Sequence, residues 1–215
     1  MKVLVIGANG QIGQQVVHLL QESDEYTVRA MVRNEAQATV LQDSGVEAVI
    51  ANLEGSIDEI ATAMQGCDAV IFSAGSGGHT GPDKTLLVDL DGAVKSMEAA
   101  EKIGVHRYVM VSAIQAHNRE SWANSPIKPY MVAKHFADKA LMASNLNYTI
   151  VRPGALTNDA GTGHISASEN LQRDSIPRED VAHTLIAVLN EENTYRRSFD
   201  LVAGDTAISD ALKNL

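Results

Sequence analysis

Tyr130 and Lys134 are the pair in this sequence with the plainest chemistry. Four positions apart on a helix, they share a face, so hydroxyl and ammonium would project into one cleft. A phenol with an ordinary pKa near 10 is a poor acid–base group at neutral pH. A neighbouring ammonium favours the phenolate and should draw that pKa down towards the working range. A second pattern, Gly7-Ala8-Asn9-Gly10-Gln11-Ile12-Gly13, concerns binding. A turn this tight needs a residue that tolerates positive φ, and a pyrophosphate reaches backbone amides only where no Cβ intervenes. A helix opening at Gln11 would aim unpaired N–H groups and the positive end of its dipole at the phosphate. Gly13 would let that helix lie close against the preceding strand. Binding of a dinucleotide is the direct implication.

Which dinucleotide depends on a position about 20 residues past the glycines, where Asp or Glu usually bonds the ribose 2′-OH. Here the residue is Arg33. A guanidinium cannot accept that hydrogen bond, whereas its planar fork suits a 2′-phosphate. NADP is therefore expected, with NAD less favoured. Arg29, inside the strand, is an alternative phosphate partner, and Glu35 could recruit NAD if Arg33 turned away.

These residues need elements to hold them. Residues 2–6 read as a buried strand, and Ile12, Val16, Val17, Leu19 and Leu20 recur at helical spacing behind the glycines. Further strands are expected at 26–32, 46–51, 69–73, 107–112, 148–152 and near 199–202. Helices are expected at 35–43 with Asn34 as cap, and from the capping box Ser56-x-x-Glu59 to about Met64. Others follow at 83–103, ended by Gly104, at 130–144 and at 178–189. Alternation from end to end implies an α/β fold, a Rossmann-type doubly wound parallel sheet with helices on both faces. No repeat or linker divides it, so residues 1–215 read as one domain with a very small C-terminal substrate region. Ligands of such sheets sit beyond the carboxyl ends of the strands. Residues 115–129, with the only tryptophan, Trp122, and 157–176, without clear periodicity, are the expected substrate loops.

Composition narrows the function classes. The formal charge of −10 argues against nucleic acid as a partner. No apolar run approaches the roughly 20 residues that cross a bilayer, and no leader precedes the glycine turn, so a cytoplasmic protein is expected. The single cysteine, Cys67, excludes an internal disulfide and any cysteine-based metal cage. The seven histidines (18, 79, 106, 117, 135, 164 and 183) show no metal-ligand spacing, and no metal is expected. A wall of the substrate pocket or a loop anchor are equal readings of Trp122. His117 and His164 read as surface histidines, and His18 as structural.

The chain resembles the short-chain dehydrogenase/reductase superfamily along essentially its whole length. The resemblance rests on the G-x-x-G-x-x-G spacing of Gly7, Gly10 and Gly13, on Ser73-Ala74-Gly75, on Tyr130-x-x-x-Lys134 and on Arg152-Pro153-Gly154. It is most similar to the small atypical members, NAD(P)-binding oxidoreductases or NAD(P)-dependent epimerases. The resemblance implies that Tyr130 handles the proton at the substrate oxygen and that Lys134 holds the nicotinamide ribose. It implies a Ser or Thr after the fifth strand that polarises the carbonyl. Here the usual second serine is Ala113, leaving Ser112 as its neighbour and a possible orienter. Asp89 stands where the family usually has Asn, with Asp91 the competing position. Asn52-Leu53 matches the place where the family contacts adenine. Asn9, Gln11, Ile12, Ser73, Ala74, Gly75, Ser112, Pro153 and Gly154 complete the expected cofactor contacts.

The expected function is NADP-dependent hydride transfer between the nicotinamide and a small carbonyl, alcohol or conjugated acceptor. The partner is a small molecule and the protein a monomer or homodimer. A non-catalytic NADP(H) sensor, which Ala113 favours, and an epimerase acting through transient oxidation are the alternatives.

Overall fold

Residues 2–6 lead into the centre of the sheet because their side chains serve two cores at once. In the computed structural model, which describes residues 1–215, strand β1 (Lys2–Ile6) turns Val3 and Val5 to one face. Leu4 and Ile6 turn to the other. A central parallel strand buried on both faces reads as a continuous apolar run for this reason. Each such side chain contributes about 1.5–3 kcal/mol on burial. Helix α1 (Gln11–Gln21) lays Val16, Val17 and Leu20 on the first face.

The chain then runs β2 (Thr27–Val32), α2 (Glu35–Asp43), β3 (Glu47–Ile50), α3 (Ile57–Met64) and β4 (Ala69–Phe72). The two expected caps form: Asn34 Oδ1 accepts from the Gln37 amide at 3.0 Å, and Ser56 and Glu59 close a reciprocal capping box. One turn, α4 (Pro82–Lys84), leads into a π-helical segment, Thr85–Gly92, and then α5 (Ala93–Ile103). Strand β5 (Arg107–Val111), a 3₁₀ turn at Arg119–Trp122, α6 (Lys128–Ala143) and β6 (Asn147–Pro153) follow. The C-terminal part comprises β7 (Ala155–Thr157), β8 (His164–Ser168), β9 (Ser175–Pro177) and α7 (Arg178–Ala187). It closes with β10 (Arg197–Ala203), β11 (Thr206–Ala207) and α8 (Ile208–Lys213).

Nine strands form one sheet in the order β11-β8-β10-β6-β5-β4-β1-β2-β3, and β7 pairs with β9 apart from it. From β3 to β10 every pairing is parallel, while β8 runs antiparallel to both β10 and β11. Helices α1, α7 and α8 cover one face and α3, α5 and α6 the other. The order reverses at β1: the chain leaves it for β2 and β3 and returns on its other side as β4. A Rossmann fold binds its dinucleotide at that switch.

Three expectations change. The helix expected over 83–103 is helical throughout, but its first half is wound as a π-helix. Gly92 lies where a Cβ would meet Leu53 Cβ at 2.8 Å, so the widened turn packs against residues that only a glycine admits. Residues 157–176 carry β8 and the first residues of β9, strands of five and three residues, too short for an alternation to register. Helix α6 opens two residues earlier than expected, with Pro129 in its first turn, where a missing N–H is harmless.

At the end of the sheet away from the switch, Arg107 is buried at the start of β5 with no carboxylate beside it. It donates to the Asn147 carbonyl at 2.6 Å, to Thr149 Oγ1 at 2.8 Å and to the last carbonyls of α7, Val188 and Leu189. Burial pulls its pKa down to about 10. The negative end of the α7 dipole stands in for a counter-ion.

Candidate active site

The glycine turn is built as its spacing requires. Gly7 has φ +88° and lies so close to β4 that a Cβ would meet the Ala74 nitrogen at 2.6 Å. At Gly13 a Cβ would meet the Gly7 carbonyl oxygen at 2.1 Å, which fixes α1 tightly on the turn. Above Gly10 the only neighbour within reach is the Gly7 oxygen at 3.2 Å, leaving an open approach to the backbone. The start of α1 has no side-chain cap and no acid in its first turn. Its first intrahelical bond is Gln14 N–H to the Gly10 carbonyl, so the amides of Gln11, Ile12 and Gly13 point outward without partners. Free amides, a positive dipole end and bare backbone fit a pyrophosphate.

Beside this turn, Ser73 closes β4 by bonding the Ile6 carbonyl through both its amide, at 2.9 Å, and its hydroxyl, at 3.1 Å. Gly75 passes within 3.1 Å of Asp89 Oδ1, measured from its would-be Cβ. Arg33 is exposed at the end of β2, and its guanidinium makes no hydrogen bond or ion pair with the protein; only its amide is engaged, by Gln37. Arg29 is occupied elsewhere: it pairs with Glu47 at 2.6 Å and caps the end of α3 through the carbonyls of Ala63 and Gln65. Asn52 forms a turn through the Glu54 amide at 3.0 Å, and Leu53 is buried. Neither shows more than a local role.

Helix α6 presents Tyr130, Lys134 and Asp138 one turn apart on its inward side. Lys134 is almost wholly buried, donates to the Val111 carbonyl at 3.2 Å and lies 3.4 Å from Asp89 Oδ1. Asp89 belongs to the π-helical segment, and its other oxygen accepts the Ser76 amide at 3.0 Å. Asp91 instead faces outward to Lys95 at 2.9 Å. The choice between the two acids thus falls to Asp89. Burial disfavours the Lys134 charge, yet Tyr130, Asp89 and Asp138 together hold its pKa above the ordinary lysine value. The Lys134 ammonium sits 5.6 Å from the centre of the Tyr130 ring.

The Tyr130 phenol corrects the expectation drawn from the sequence. Its pKa is raised: burial raises it, Lys134 lowers it, and Asp89 and Asp138 raise it again. The ammonium is present as expected, but two carboxylates offset its field. Spacing showed the pair and not its counter-ions.

Ser112 and Arg152 lie beneath. Ser112 is buried beside Asp138, and neither its Oγ nor Asp138 Oδ1 has any other partner. Arg152 Nε donates to Asp138 Oδ2 at 2.8 Å, and both side chains are buried. Burial, the leading influence on Asp138, raises its pKa against the opposing pull of Arg152, Ser112 and Lys134. Sequence reasoning quoted Arg152 in a motif and passed over Asp138. The i, i+4, i+8 spacing of Tyr130, Lys134 and Asp138 was the available signal.

The expected substrate loops meet over the carboxyl ends of β5, β6 and β10. Asp200, fully buried on β10, accepts the amides of Gln115 at 3.0 Å and Leu171 at 3.1 Å. Gln115, held at φ 59°, reaches the Leu171 carbonyl at 2.5 Å, and His117 Nε2 lies 3.2 Å from Asn170 Oδ1. Trp122 is buried against His135 and donates to the Ala116 carbonyl at 3.2 Å, which makes it a loop anchor. Ala113 packs in the same small cluster, with Tyr130 against it. Pro153 accepts the Ile114 amide at 2.9 Å, and Gly154 leaves room for the Asp174 carbonyl. His164 is exposed, away from these groups.

A family model described as NAD(P)H-binding matches residues 7–192. The chain is 61% identical, over the full length of both, to a Bacillus subtilis protein named uncharacterized sugar epimerase YhfK. A solved structure from Bacillus halodurans, described as a candidate NAD-dependent epimerase/dehydratase, superposes with a TM-score of 0.93 at 39% identity and full coverage of both chains. The oxidoreductase ylbE of Lactococcus lactis superposes at 0.91 with 36% identity, covering 100% of this chain and 96% of that one. The glycine turn at the switch point and the matched residues agree, and the chain belongs to the NAD(P)H-binding family of short-chain dehydrogenase/reductase-like Rossmann proteins.

Proposed function

We propose that this protein is an NADP-dependent oxidoreductase acting on a small carbonyl compound, its alcohol or a conjugated acceptor. The observation that carries the reading is the buried Tyr130–Lys134–Asp89 arrangement, held where β5 and the π-helical segment meet beside the glycine turn. When bound, the nicotinamide supplies or takes a hydride. The chain does the rest. Amides at Gln11, Ile12 and Gly13 hold the pyrophosphate, and Arg33 takes the 2′-phosphate. Lys134, fixed by Asp89 and Val111, anchors the ribose hydroxyls and stays charged. Tyr130 gives its proton to the substrate oxygen or takes it back.

Steady-state oxidation of NADPH and NADH with a panel of quinones, flavins and aldehydes tests this. Turnover with NADPH is expected, and Tyr130→Phe should lower kcat by about 10²–10⁴-fold, the usual contribution of a positioned acid. Unchanged turnover in that variant removes the catalytic role.

One observation favours a second reading, an NADP(H)-binding sensor without turnover. Ala113 offers no hydroxyl to the substrate oxygen, and the Ser112 hydroxyl faces a carboxylate. Tight NADPH binding with no turnover across the panel would select it.

A further inference from the structure

Four charges are buried side by side behind Tyr130, and they alternate in sign: Asp89, Lys134, Asp138, Arg152. Each is at most 3% exposed. Two contacts tie the ends, Lys134 to Asp89 at 3.4 Å and Arg152 to Asp138 at 2.8 Å. The middle link runs along α6, where Lys134 and Asp138 are one turn apart. Ion pairs without solvent are poor stabilisers, because desolvation offsets most of the attraction. Removing one member leaves a bare buried charge, so the set stands or falls as a neutral whole.

The reading of Tyr130 as acid uses only Lys134 and Asp89. Asp138 and Arg152 are left without a task, although their ion pair is buried and one carboxylate oxygen is free. We infer that Asp138, clamped by Arg152, is a positioning residue for the Tyr130–Lys134 pair: it offsets the Lys134 charge and keeps Tyr130 a protonated phenol. This rests on the reading of Tyr130 as the group that meets the substrate oxygen, and it adds a direction. An acid kept protonated at neutral pH is set to give a proton, which belongs to reduction of a carbonyl.

The groups around Tyr130 leave little else to do the offsetting. From the π-helical segment comes Asp89, from α6 Lys134 and Asp138, and from β6 Arg152, which is bound to Asp138. β5 contributes only the Ser112 hydroxyl, beside Asp138. On α5, Lys95 is paired with Asp91 at 2.9 Å, and Glu101 accepts the Asn145 amide at 2.8 Å. His135 turns to the Ala116 carbonyl at 2.8 Å. Removing Asp138 therefore removes one of the two negative charges that oppose Lys134. Two helical turns place it about 12 Å along the axis from Tyr130. At an effective dielectric of about 20, one charge at that distance moves a phenol by about one pH unit.

Ultraviolet absorbance of tyrosinate reads this without any substrate. The Tyr130 signal is the difference between each protein and its Tyr130→Phe counterpart, taken over the alkaline range in which circular dichroism shows the fold intact. Asp138→Asn, nearly the same shape, should move that titration down by about one pH unit. Asp138→Asn combined with Arg152→Gln restores neutrality and should return it close to wild type. In any NADPH-dependent turnover, the alkaline limb of kcat should move with the titration. An unmoved or raised titration in Asp138→Asn overturns the inference, as does a double variant that behaves like the single one. If neither variant folds, the pair is only a structural clamp and the inference falls. Absence of turnover with a shifted titration defeats the oxidoreductase reading alone.

Discussion

Two arginines leave β2 four residues apart, and the identity of the side chain does not separate them. Their partners do: Arg29 is bound to Glu47 and the end of α3, while the Arg33 guanidinium is free. An extra charge-assisted hydrogen bond contributes about 1.5–3 kcal/mol, roughly 10–100-fold in affinity. Arg33→Ala should therefore weaken NADPH by that factor and leave NADH nearly unchanged in fluorescence titrations. Equal wild-type affinity for both cofactors would defeat the NADP assignment. At this scale the sequence was informative wherever spacing alone defines chemistry, as with Gly7, Gly10, Gly13 and the Tyr130–Lys134 pair. It was silent on Asp138, because burial decides whether an acid on a helix is a solvated charge or a counter-ion. It misled on the Tyr130 pKa for the same reason: Asp89 and Asp138 act through folded proximity, and only the charge nearest in sequence was visible.

The elements show a similar division. β1, α1, α2 and α3 were legible because apolar period and capping residues agree locally, as Asn34 and the Ser56–Glu59 box show. The π-helical segment was not, since Leu86, Leu87, Val88 and Leu90 satisfy a helix of either winding. β7, β9 and β11, of three, three and two residues, are defined by their partners and not by their own pattern. Arg107 shows how one side chain can join elements far apart in sequence: β5, the start of β6 and the end of α7 meet on it, with the Tyr195 ring 4.3 Å away. A lysine there keeps the charge but cannot reach several acceptors at once. Arg107→Lys should lower stability by about 3 kcal/mol, a fall in Tm of roughly 6–12 °C. NADPH affinity should be unchanged, because the clamp lies at the opposite end of the sheet from the glycine turn. Thermal unfolding with a parallel titration checks both halves.

For the molecule as a whole, several groups titrate at the alkaline end and most act in one direction. Burial raises the pKa of the Tyr26, Tyr108 and Tyr130 phenols and of the Cys67 thiol, and Lys134 is raised by its anionic neighbours. A group with a raised folded pKa contributes stability that is complete below its unfolded pKa and lost as pH climbs through the folded one. Arg107 acts the other way, since its pKa is lowered to about 10. Five groups against one predict that Tm falls steadily from about pH 9 upward. A flat Tm between pH 8 and 11 would contradict this. No helix is long and apolar enough to cross a membrane. The cleft has its own collective property, and it follows from Asp200. The amides of Gln115 and Leu171 hang on the two oxygens of that one buried carboxylate. Swinging either segment outward strips half the partners from an ion that has no water, which weakens the hold on the other segment. The rims of the cleft are thus latched together, and a substrate is admitted by one cooperative opening. Hydrogen exchange should report equal rates for the two amides, both accelerated together in Asp200→Asn.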